Sequence, residues 1–244
     1  MTPPRIVFIG LGGNSFGPLL LALYLANKHP NAELVLVDGK TYKASHGDHE
    51  FFLRPGPKAH VQAQLVTSAY PRLKVTPVLR FIDRTTTDHT ISTKDLLHEG
   101  DYIVLVVDNH ETRKLIAEHA STMTNSTLIS GAIDGDDVGI WIALRRNAND
   151  LTPTPLQRYA DIANAPNTLP AEMFQRTGCI EEGLTTTDEE RPNYFALLST
   201  TMLTLNALWQ AIELDHEGRI TEFPYVDTWL NVRTAAATPN NKGA

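Results

Sequence analysis

A glycine-rich turn near the N-terminus, residues 10–17 (GLGGNSFG), is the first segment whose residue types could do chemistry. A short β-branched strand is predicted before it, over residues 5–10, and a helix after it, over residues 18–28. Glycines let a backbone approach a phosphate closely, and a helix N-terminus offers N–H donors and the positive end of the helix dipole. The turn therefore supplies four candidates for binding the phosphates of a nucleotide: Gly10, Gly12, Gly13 and Asn14.

A carboxylate, Asp38, ends the second predicted strand, residues 34–38 (LVLVD). At this place in a strand–turn–helix–strand unit it can accept hydrogen bonds from ribose hydroxyls. The competing interpretation is a tight turn that holds no ligand. The last position of a G-x-G-x-x-G pattern is Ser15, and the double glycine Gly12-Gly13 is unusual for hydride transfer. The turn therefore favours a nucleotide other than NAD or FAD.

The elements that must position these residues alternate along the chain. Strands interleaved with helices predict an α/β fold, a doubly wound, mostly parallel, Rossmann-like sheet with right-handed crossovers. Within one of the strands Pro77 suggests an edge position. The further elements are helices at residues 58–69 and 111–123, and strands at 74–79, 102–107, 127–130 and 138–145.

The amino-acid composition changes after residue 146. Irregular sequence rich in Asn, Pro, Thr and Ala precedes a long apolar helix predicted at residues 192–214, and residues 219–232 suggest a hairpin or strand. The long helix is apolar on more than one face, which predicts a homodimer. We divide the chain into a nucleotide-binding region (1–146), a helical and partly irregular extension of the same globular unit (147–233) and a disordered tail (234–244).

The composition is that of an ordinary globular protein and excludes several function classes. The chain has 244 residues, 42% of them apolar, and a formal net charge of −7 at pH 7. This acidic balance argues against nucleic-acid binding, and no apolar run reaches the roughly 20 residues of a membrane span. A single cysteine, Cys179, can build neither an internal disulfide nor a cysteine-based zinc site. We therefore expect a reduced, cytoplasmic protein without zinc.

Five short motifs follow one another in a fixed order. They are Gly-Leu-Gly-Gly at 10–13, Val-Asp at 37–38, Gly-Pro-Lys-Ala at 56–59, Val-Asp-Asn at 107–109 with Arg113, and Ile-Ser-Gly-Ala at 129–132. This series resembles the ThiF/MoeB family, the bacterial relatives of ubiquitin-activating enzymes. The resemblance covers roughly residues 5–144 and, less specifically, a later stretch over residues 178–210.

The resemblance implies ATP-dependent adenylation of the C-terminal carboxylate of a small ubiquitin-like or sulfur-carrier protein. By position it implies that the turn glycines face the phosphates and that Asp38 faces the ribose. It implies that Lys58 neutralises the phosphates during transfer and that Asp108 holds Mg²⁺ or organises the triphosphate. Asn109 and Arg113 complete the predicted cofactor-binding set.

The chemistry of such a reaction needs the same residue types. Attack of a carboxylate on an α-phosphate brings two anions together, so a lysine, Mg²⁺ and a carboxylate that holds the ion are the minimum set. Simpler interpretations remain open. Lys58 is then a solvated lysine at a helix start, Asp108 and Asn109 form a helix cap, and Arg113 pairs on the surface with a glutamate, Glu111 or Glu118.

The polar loop after the second strand departs from the family pattern. The family's second acidic residue falls on Lys40, its asparagine on His46, its arginine on His49 and its glutamine on Glu50. That arginine normally contacts the triphosphate. His49 can carry charge near its ordinary pKa of about 6.5, but it lacks the bidentate geometry of arginine. We keep His49 as a candidate catalytic cation.

Two further reactive groupings lie in loops. Cys179 could act as a thioester or persulfide nucleophile, but two glutamates that follow it disfavour a thiolate. His46, Asp48 and His49 are close in sequence, yet such residues in a polar loop are more often solvated than bound to a metal.

Two other functions remain open beside adenylation. The first is a catalytically altered scaffold of the same fold that docks a partner, and Lys40, His46 and His49 favour it. Lys58 and Asp108 favour the enzyme instead. The second is an NAD-dependent oxidoreductase, which the double glycine and the lack of a recognisable Tyr-x-x-x-Lys motif disfavour.

Overall fold

The structure is a computed structural model that describes residues 2–12, 16–43, 54–134, 137–152, 194–224, 227–231 and 236–239. Over these residues its main feature is a nine-stranded sheet with helices on both faces. The strands are β1 (Arg5–Ile9), β2 (Glu33–Val37), β3 (Thr41–Tyr42), β4 (Gly56–Pro57), β5 (Lys74–Val78), β6 (Phe81–Asp83), β7 (Thr90–Ser92), β8 (Tyr102–Leu105), β9 (Ser126–Asp134), β10 (Asp137–Arg146), β11 (Asn149–Asp150), β12 (Asp227–Asn231) and β13 (Ala236–Pro239). The helices are α1 (Gly17–Lys28), α2 (Lys58–Ala69), α3 (Thr93–Leu96), α4 (His110–Ala120) and α5 (Tyr194–His216), followed by a 3₁₀ turn (Ile220–Glu222).

Five parallel strands form one half of the sheet, in the order β5-β2-β1-β8-β9. Ile6 of β1 lies opposite Leu34 of β2 on one side and Tyr102 of β8 on the other. The central strands are apolar runs buried on both faces, as expected where helices cover a parallel sheet. This arrangement confirms the predicted Rossmann-like fold. It also places β5, with Pro77, at the outer edge, as predicted.

Antiparallel strands form the other half of the sheet. β9 and β10 pair antiparallel, with Asp134 opposite Asp137. β12 pairs with β10, and β13 pairs with β12. The segment predicted as a disordered tail thus contains a strand at Ala236–Pro239. Its strand structure comes from main-chain pairing with a neighbouring edge, which leaves little signal in a short polar sequence.

Helices cover the two faces of the sheet, and successive strand residues point into two separate cores. Phe8 of β1 lies in one core with Leu25 of α1 and Leu208 of α5. Its neighbour Ile9 lies in the other core with Ile116 of α4. Alternate side chains of β1 therefore pack against the two helical layers in turn, which is the doubly wound arrangement.

The helix bounds agree with the sequence prediction to within a few residues. α2 has the predicted bounds, α4 ends at Ala120 rather than at residue 123, and α5 is displaced by two residues from the predicted 192–214. Among the described residues, no helix is long and apolar enough to cross a membrane.

Candidate nucleotide-binding site

The carboxyl ends of β1, β2 and β8 lie where the order of the strands reverses, and we call this edge of the sheet the crevice. The chain runs from β1 to β2 on one side and returns to β8 on the other. In open α/β sheets, ligands bind at this kind of switch point. Gly10, Asp38 and Asp108 each follow one of these strands, so the fold brings together three predicted site residues that are distant in sequence.

Gly10 is required where β1 turns toward α1. Its φ of +94° lies in the left-handed region, and an added Cβ would lie 2.8 Å from Val107 Cγ1 and 2.9 Å from the Val106 carbonyl oxygen. Its N–H donates a hydrogen bond of 3.0 Å to the carbonyl of Val37. The glycine therefore allows the ends of three strands to approach one another. Gly12 is half-buried beyond it, whereas the predicted Gly13 and Asn14 lie outside the described residues.

The N-terminus of α1 follows this turn. Phe16 occupies the N-cap position without a side-chain capping bond, and the first turn contains Pro18 and no acidic residue. An added Cβ on Gly17 would lie 2.7 Å from the ring of Phe8, so this glycine lets the helix start close to β1. Such a helix start offers N–H donors and a positive dipole end to an anion.

Asp38 fastens the end of β2 to the glycine turn. Its carboxylate accepts hydrogen bonds from the backbone N–H of Leu11 (2.9 Å) and of Lys40 (2.8 Å). Burial raises the pKa of the Asp38 carboxyl above its ordinary value, whereas these two hydrogen bonds and the ammonium groups of Lys58 and Lys40 lower it. Each carboxylate oxygen retains a second lone pair. The carboxylate can therefore bind hydroxyl groups in a poorly hydrated place.

Lys58 is buried beside Asp38. Lys58 is the first residue of α2 and is only 3% exposed. Its N–H donates a 3.0 Å hydrogen bond to the Lys40 carbonyl. The short ladder of Thr41 with Pro57 holds these two segments together. Lys58 is therefore not the solvated helix-start lysine of the simpler interpretation. A buried ammonium group interacts more strongly with a nearby anion than an exposed one does.

Asp108 and Asn109 follow β8 and differ in their roles. Asn109 is the N-cap of α4, and its Oδ1 accepts a 3.0 Å hydrogen bond from the N–H of Thr112. The capping interpretation therefore holds for Asn109. Asp108 is exposed and does not cap the helix.

Arg113 is buried, and its guanidinium bonds to the segment that follows β8 and to the middle of β9. Its Nε donates to the Val107 carbonyl (2.8 Å), one terminal nitrogen donates to the Gly131 carbonyl (2.7 Å), and the other donates to the Ser130 hydroxyl. These bonds hold the two segments together. The suggested surface pairing does not occur, because Glu111 pairs with Arg84 and Glu118 with Lys114.

An aromatic contact beside Asp38 was missed in the sequence. The ring of Phe81, the first residue of β6, lies against Gly39, and Phe81 is 50% exposed. The only available signal in the sequence is an aromatic residue shortly after the strand predicted at residues 74–79.

The remaining predicted residues lie outside the described part of the chain. These are His46, His49 and Cys179. Within the described residues, no group of three or more histidines, cysteines or carboxylates is placed to hold a metal ion.

The fold that this site belongs to is shared with known structures. No family model and no curated protein sequence matches the chain. The crystal structure of PaaA superposes with a TM-score of 0.62 at 11% identity, over 96% of this chain and 71% of that protein. Escherichia coli MccB with ATP gives a TM-score of 0.61 at 12% identity, over 98% of this chain and 64% of MccB.

A third solved structure shares the fold at a similarly low sequence identity. Escherichia coli MccB with AMPCPP and MccA gives a TM-score of 0.60 at 11% identity. This chain therefore spans about two thirds of the length of MccB. At such low identity the likeness establishes the fold: an α/β, Rossmann-like sheet of the kind found in MccB and PaaA.

Proposed function

We propose that this chain binds ATP in the crevice and transfers its AMP group to a carboxylate of a small polypeptide. One observation carries the proposal. The buried Lys58 adjoins Asp38, which is itself bonded to the glycine turn, so a cation, a ribose acceptor and a phosphate-sized turn lie along one strand edge. The resemblance to the ThiF/MoeB family and the shared fold with MccB, whose crystals contain ATP, support it.

In this reaction a carboxylate oxygen bonds to the α-phosphorus while the bond from that phosphorus to the bridging oxygen of the β-phosphate breaks. Pyrophosphate leaves with the bonding pair, and an acyl adenylate remains. Lys58 would offset the negative charge that accumulates on the phosphates, and the turn around Gly10 would admit them to the backbone. Asp38 would fix the ribose and with it the angle of attack.

Mg²⁺ fits the exposed carboxylate of Asp108. A hard divalent ion takes oxygen ligands from one or two carboxylates and from substrate phosphates, and it keeps several waters. An exposed aspartate meets that requirement, whereas a buried one would exclude the waters. When bound, the ion would neutralise phosphate charge beside Lys58.

The polypeptide substrate is proposed to be small, with a free C-terminus. The family resemblance favours a ubiquitin-like or sulfur-carrier protein. Some of the MccB structures contain MccA, in one case N-formylated, so the shared fold also accommodates a partner of that kind.

A second candidate is a protein that binds ATP and a partner without catalysing transfer. Arg113, one of the predicted cofactor-binding cations, donates three hydrogen bonds to the protein itself. Where the family carries arginine, this chain has His49. Both observations lower the cationic charge expected at the triphosphate, and transfer depends on that charge more than binding does.

We also propose that the chain forms a homodimer through the face of the molecule that carries α1 and α5. Apolar side chains are exposed on both helices: Leu23 is 49%, Leu198 45%, Met202 58% and Trp209 48% exposed. The rings of Tyr24 and Trp209 touch, with centroids 5.4 Å apart, so the two helices form a continuous surface. A second copy would remove this apolar surface from water.

Titration calorimetry with MgATP and, separately, with NAD tests nucleotide binding, and ATP–pyrophosphate exchange tests transfer. We expect ATP binding that Gly12→Val abolishes, because a bulky side chain fills the space where phosphate meets backbone. Ala69→Val is the control, since Ala69 is exposed at the far end of α2. Unchanged ATP affinity in folded Gly12→Val, or binding of NAD in place of ATP, would refute the proposal. Binding without exchange, with any carrier, would select the second candidate.

A further inference from the structure

Gly39 covers one face of the Phe81 ring. A Cβ built on Gly39 would lie 2.7 Å from both Cγ and Cδ2 of Phe81 and 2.8 Å from Cδ1. Three ring atoms at nearly equal distance place that point over the plane of the ring, not at its rim. The 50% of Phe81 that is exposed therefore lies on the parts of the ring that Gly39 leaves uncovered.

The ring is held in this position by the neighbouring elements. The Phe81 N–H donates a 2.9 Å hydrogen bond to the His89 carbonyl, and β6 pairs with β7 in parallel. Arg84, just after β6, forms an ion pair of 3.2 Å with Glu111 at the start of α4. These contacts hold the backbone that carries Phe81, and the ring itself rests on Gly39.

Phe81 also lies in line with the proposed nucleotide. The glycine turn follows β1, Asp38 follows β2, and Phe81 follows β5 by three residues, and these strands are direct neighbours. Neighbouring strands are about 4.8 Å apart, so two strand spacings cover roughly 10 Å along the edge. A nucleotide with its phosphates at β1 and its ribose at β2 carries its base toward β5. The N–H of Asp38 donates a 3.1 Å hydrogen bond to the Val78 carbonyl, which joins the end of β2 to the end of β5.

We infer that Phe81, together with the exposed Leu79 beside it, is the platform on which the base of the nucleotide packs. This inference rests on the proposed nucleotide site. Leu79 is 46% exposed, so exposed apolar residues precede and follow Arg80 in the sequence. The phenyl ring takes a flat aromatic base and offers little to an inorganic phosphate or a sugar phosphate. Phe81 is then a residue that determines specificity for the base, and it takes no part in the transfer itself.

Two binding titrations test this, one with MgATP and one with inorganic tripolyphosphate, which lacks ribose and base. The variants are Phe81→Ala, Phe81→Trp and Gly39→Ala. Gly39→Ala keeps Phe81 but forces its ring aside. Leu151→Ala removes an exposed apolar side chain that lies outside both the proposed site and the proposed dimer surface, and it is the control. Thermal melting shows that each variant is folded.

We expect Phe81→Ala and Gly39→Ala to weaken ATP binding by about tenfold, the loss typical of one base–aromatic contact, with tripolyphosphate binding unchanged. Phe81→Trp should retain ATP affinity. Unchanged ATP affinity in Phe81→Ala overturns the platform and leaves the proposed function standing. An equal loss for both ligands also overturns it, because Phe81 would then support the fold of the site. Failure of the wild type to bind ATP at all refutes the proposed function, and the platform with it.

Discussion

The hydroxyl of Tyr24 donates a hydrogen bond of 2.8 Å to Glu213 Oε1 and lies 3.0 Å from His29 Nε2. This contact joins the C-terminal half of α1 to the C-terminal half of α5, 189 residues later in the chain. The ring of His216 packs on His29 with centroids 4.6 Å apart. A titratable cluster thus holds together the two helices that cover one face of the sheet.

This cluster predicts a loss of stability in mild acid. Burial, followed by the nearby His216, lowers the pKa of His29, against the opposing effect of Glu213. The unfolded chain therefore takes up a proton at a higher pH than the folded one. Stability that is present above the unfolded pKa of about 6.5 is lost on acidification, by at most about 1.4 kcal/mol per pH unit for this group. Urea unfolding between about pH 5.5 and pH 7.5 measures the slope.

His29→Gln should reduce that slope but not remove it. His119 also has a lowered pKa, chiefly through burial, and it contributes in the same direction. His89→Gln is the control, because His89 is exposed and its side chain lies outside the cluster. A slope that is identical in wild type and His29→Gln would contradict this assignment.

Replacement of Lys58 should impair transfer far more than folding. Removal of a charge that acts mainly in the transition state costs on the order of 3 kcal/mol, or about 10²-fold in rate. Lys58→Met keeps most of the buried stem and removes the charge, so its ATP–pyrophosphate exchange should fall by that factor while its melting temperature changes little. Lys114→Ala is the control, since that side chain is 47% exposed. A threefold change in rate corresponds to about 0.6 kcal/mol of activation free energy. An exchange rate within that factor of wild type in folded Lys58→Met would show that Lys58 takes no part in the reaction.

Alanine substitutions at two glycines distinguish the cost of a strained backbone from the cost of a steric clash. Gly10 and Gly100 both have positive φ, +94° and +86°, but an added Cβ would collide with Val106 and Val107 only at Gly10. Gly100→Ala should cost about 1 kcal/mol of unfolding free energy from strain alone. Gly10→Ala should cost about 2–4 kcal/mol, because overpacking adds to the strain. Denaturant unfolding of both variants checks this, and equal losses would mean that the contact at Gly10 relaxes freely.

The proposed homodimer predicts a variant that dissociates. Met202→Glu places a charge at the centre of the exposed surface of α1 and α5, which would be buried in a dimer, and should give the mass of one chain in light scattering. Leu151→Glu changes an exposed leucine elsewhere and should leave the dimer intact. A wild-type protein with the mass of one chain at micromolar concentration would refute the dimer.

The loop residue His49 predicts an unusual pH profile for exchange. If its imidazolium replaces the family arginine, exchange should fall as pH rises through about 6.5. His49→Arg should raise the rate and flatten the profile. The measurement is exchange rate against pH for both proteins. No effect of His49→Arg in an active enzyme would show that the alignment of this loop is wrong.

Much of the fold could be predicted because its signals are local. The apolar run before Gly10, the run before Asp38 and the bounds of α2 follow from side-chain periodicity and from glycine and proline. The strand β13 could not be predicted, because it depends on pairing with β12 and not on its own sequence. The same holds for the extension of β9 to Asp134, which the pairing with β10 supports.

The site was predicted in type more than in detail. Lys58 and Asp38 were identified, but only the structure shows that Lys58 is buried and that Asp38 binds two backbone N–H groups. Arg113 is predicted to bind the nucleotide, and its bonds to Val107 and Gly131 depend on contacts that a linear pattern does not encode. Phe81 was missed because its neighbour, Gly39, is 42 residues away in the sequence.

Pro77 has a consequence for how the molecule associates with others. It sits in β5, the last strand on its side of the sheet, and it has no N–H to give to an approaching strand. An exposed edge with a complete row of donors invites uncontrolled strand addition between molecules, and a proline interrupts that row. Continuous sheets that run from one molecule into the next are therefore disfavoured through β5.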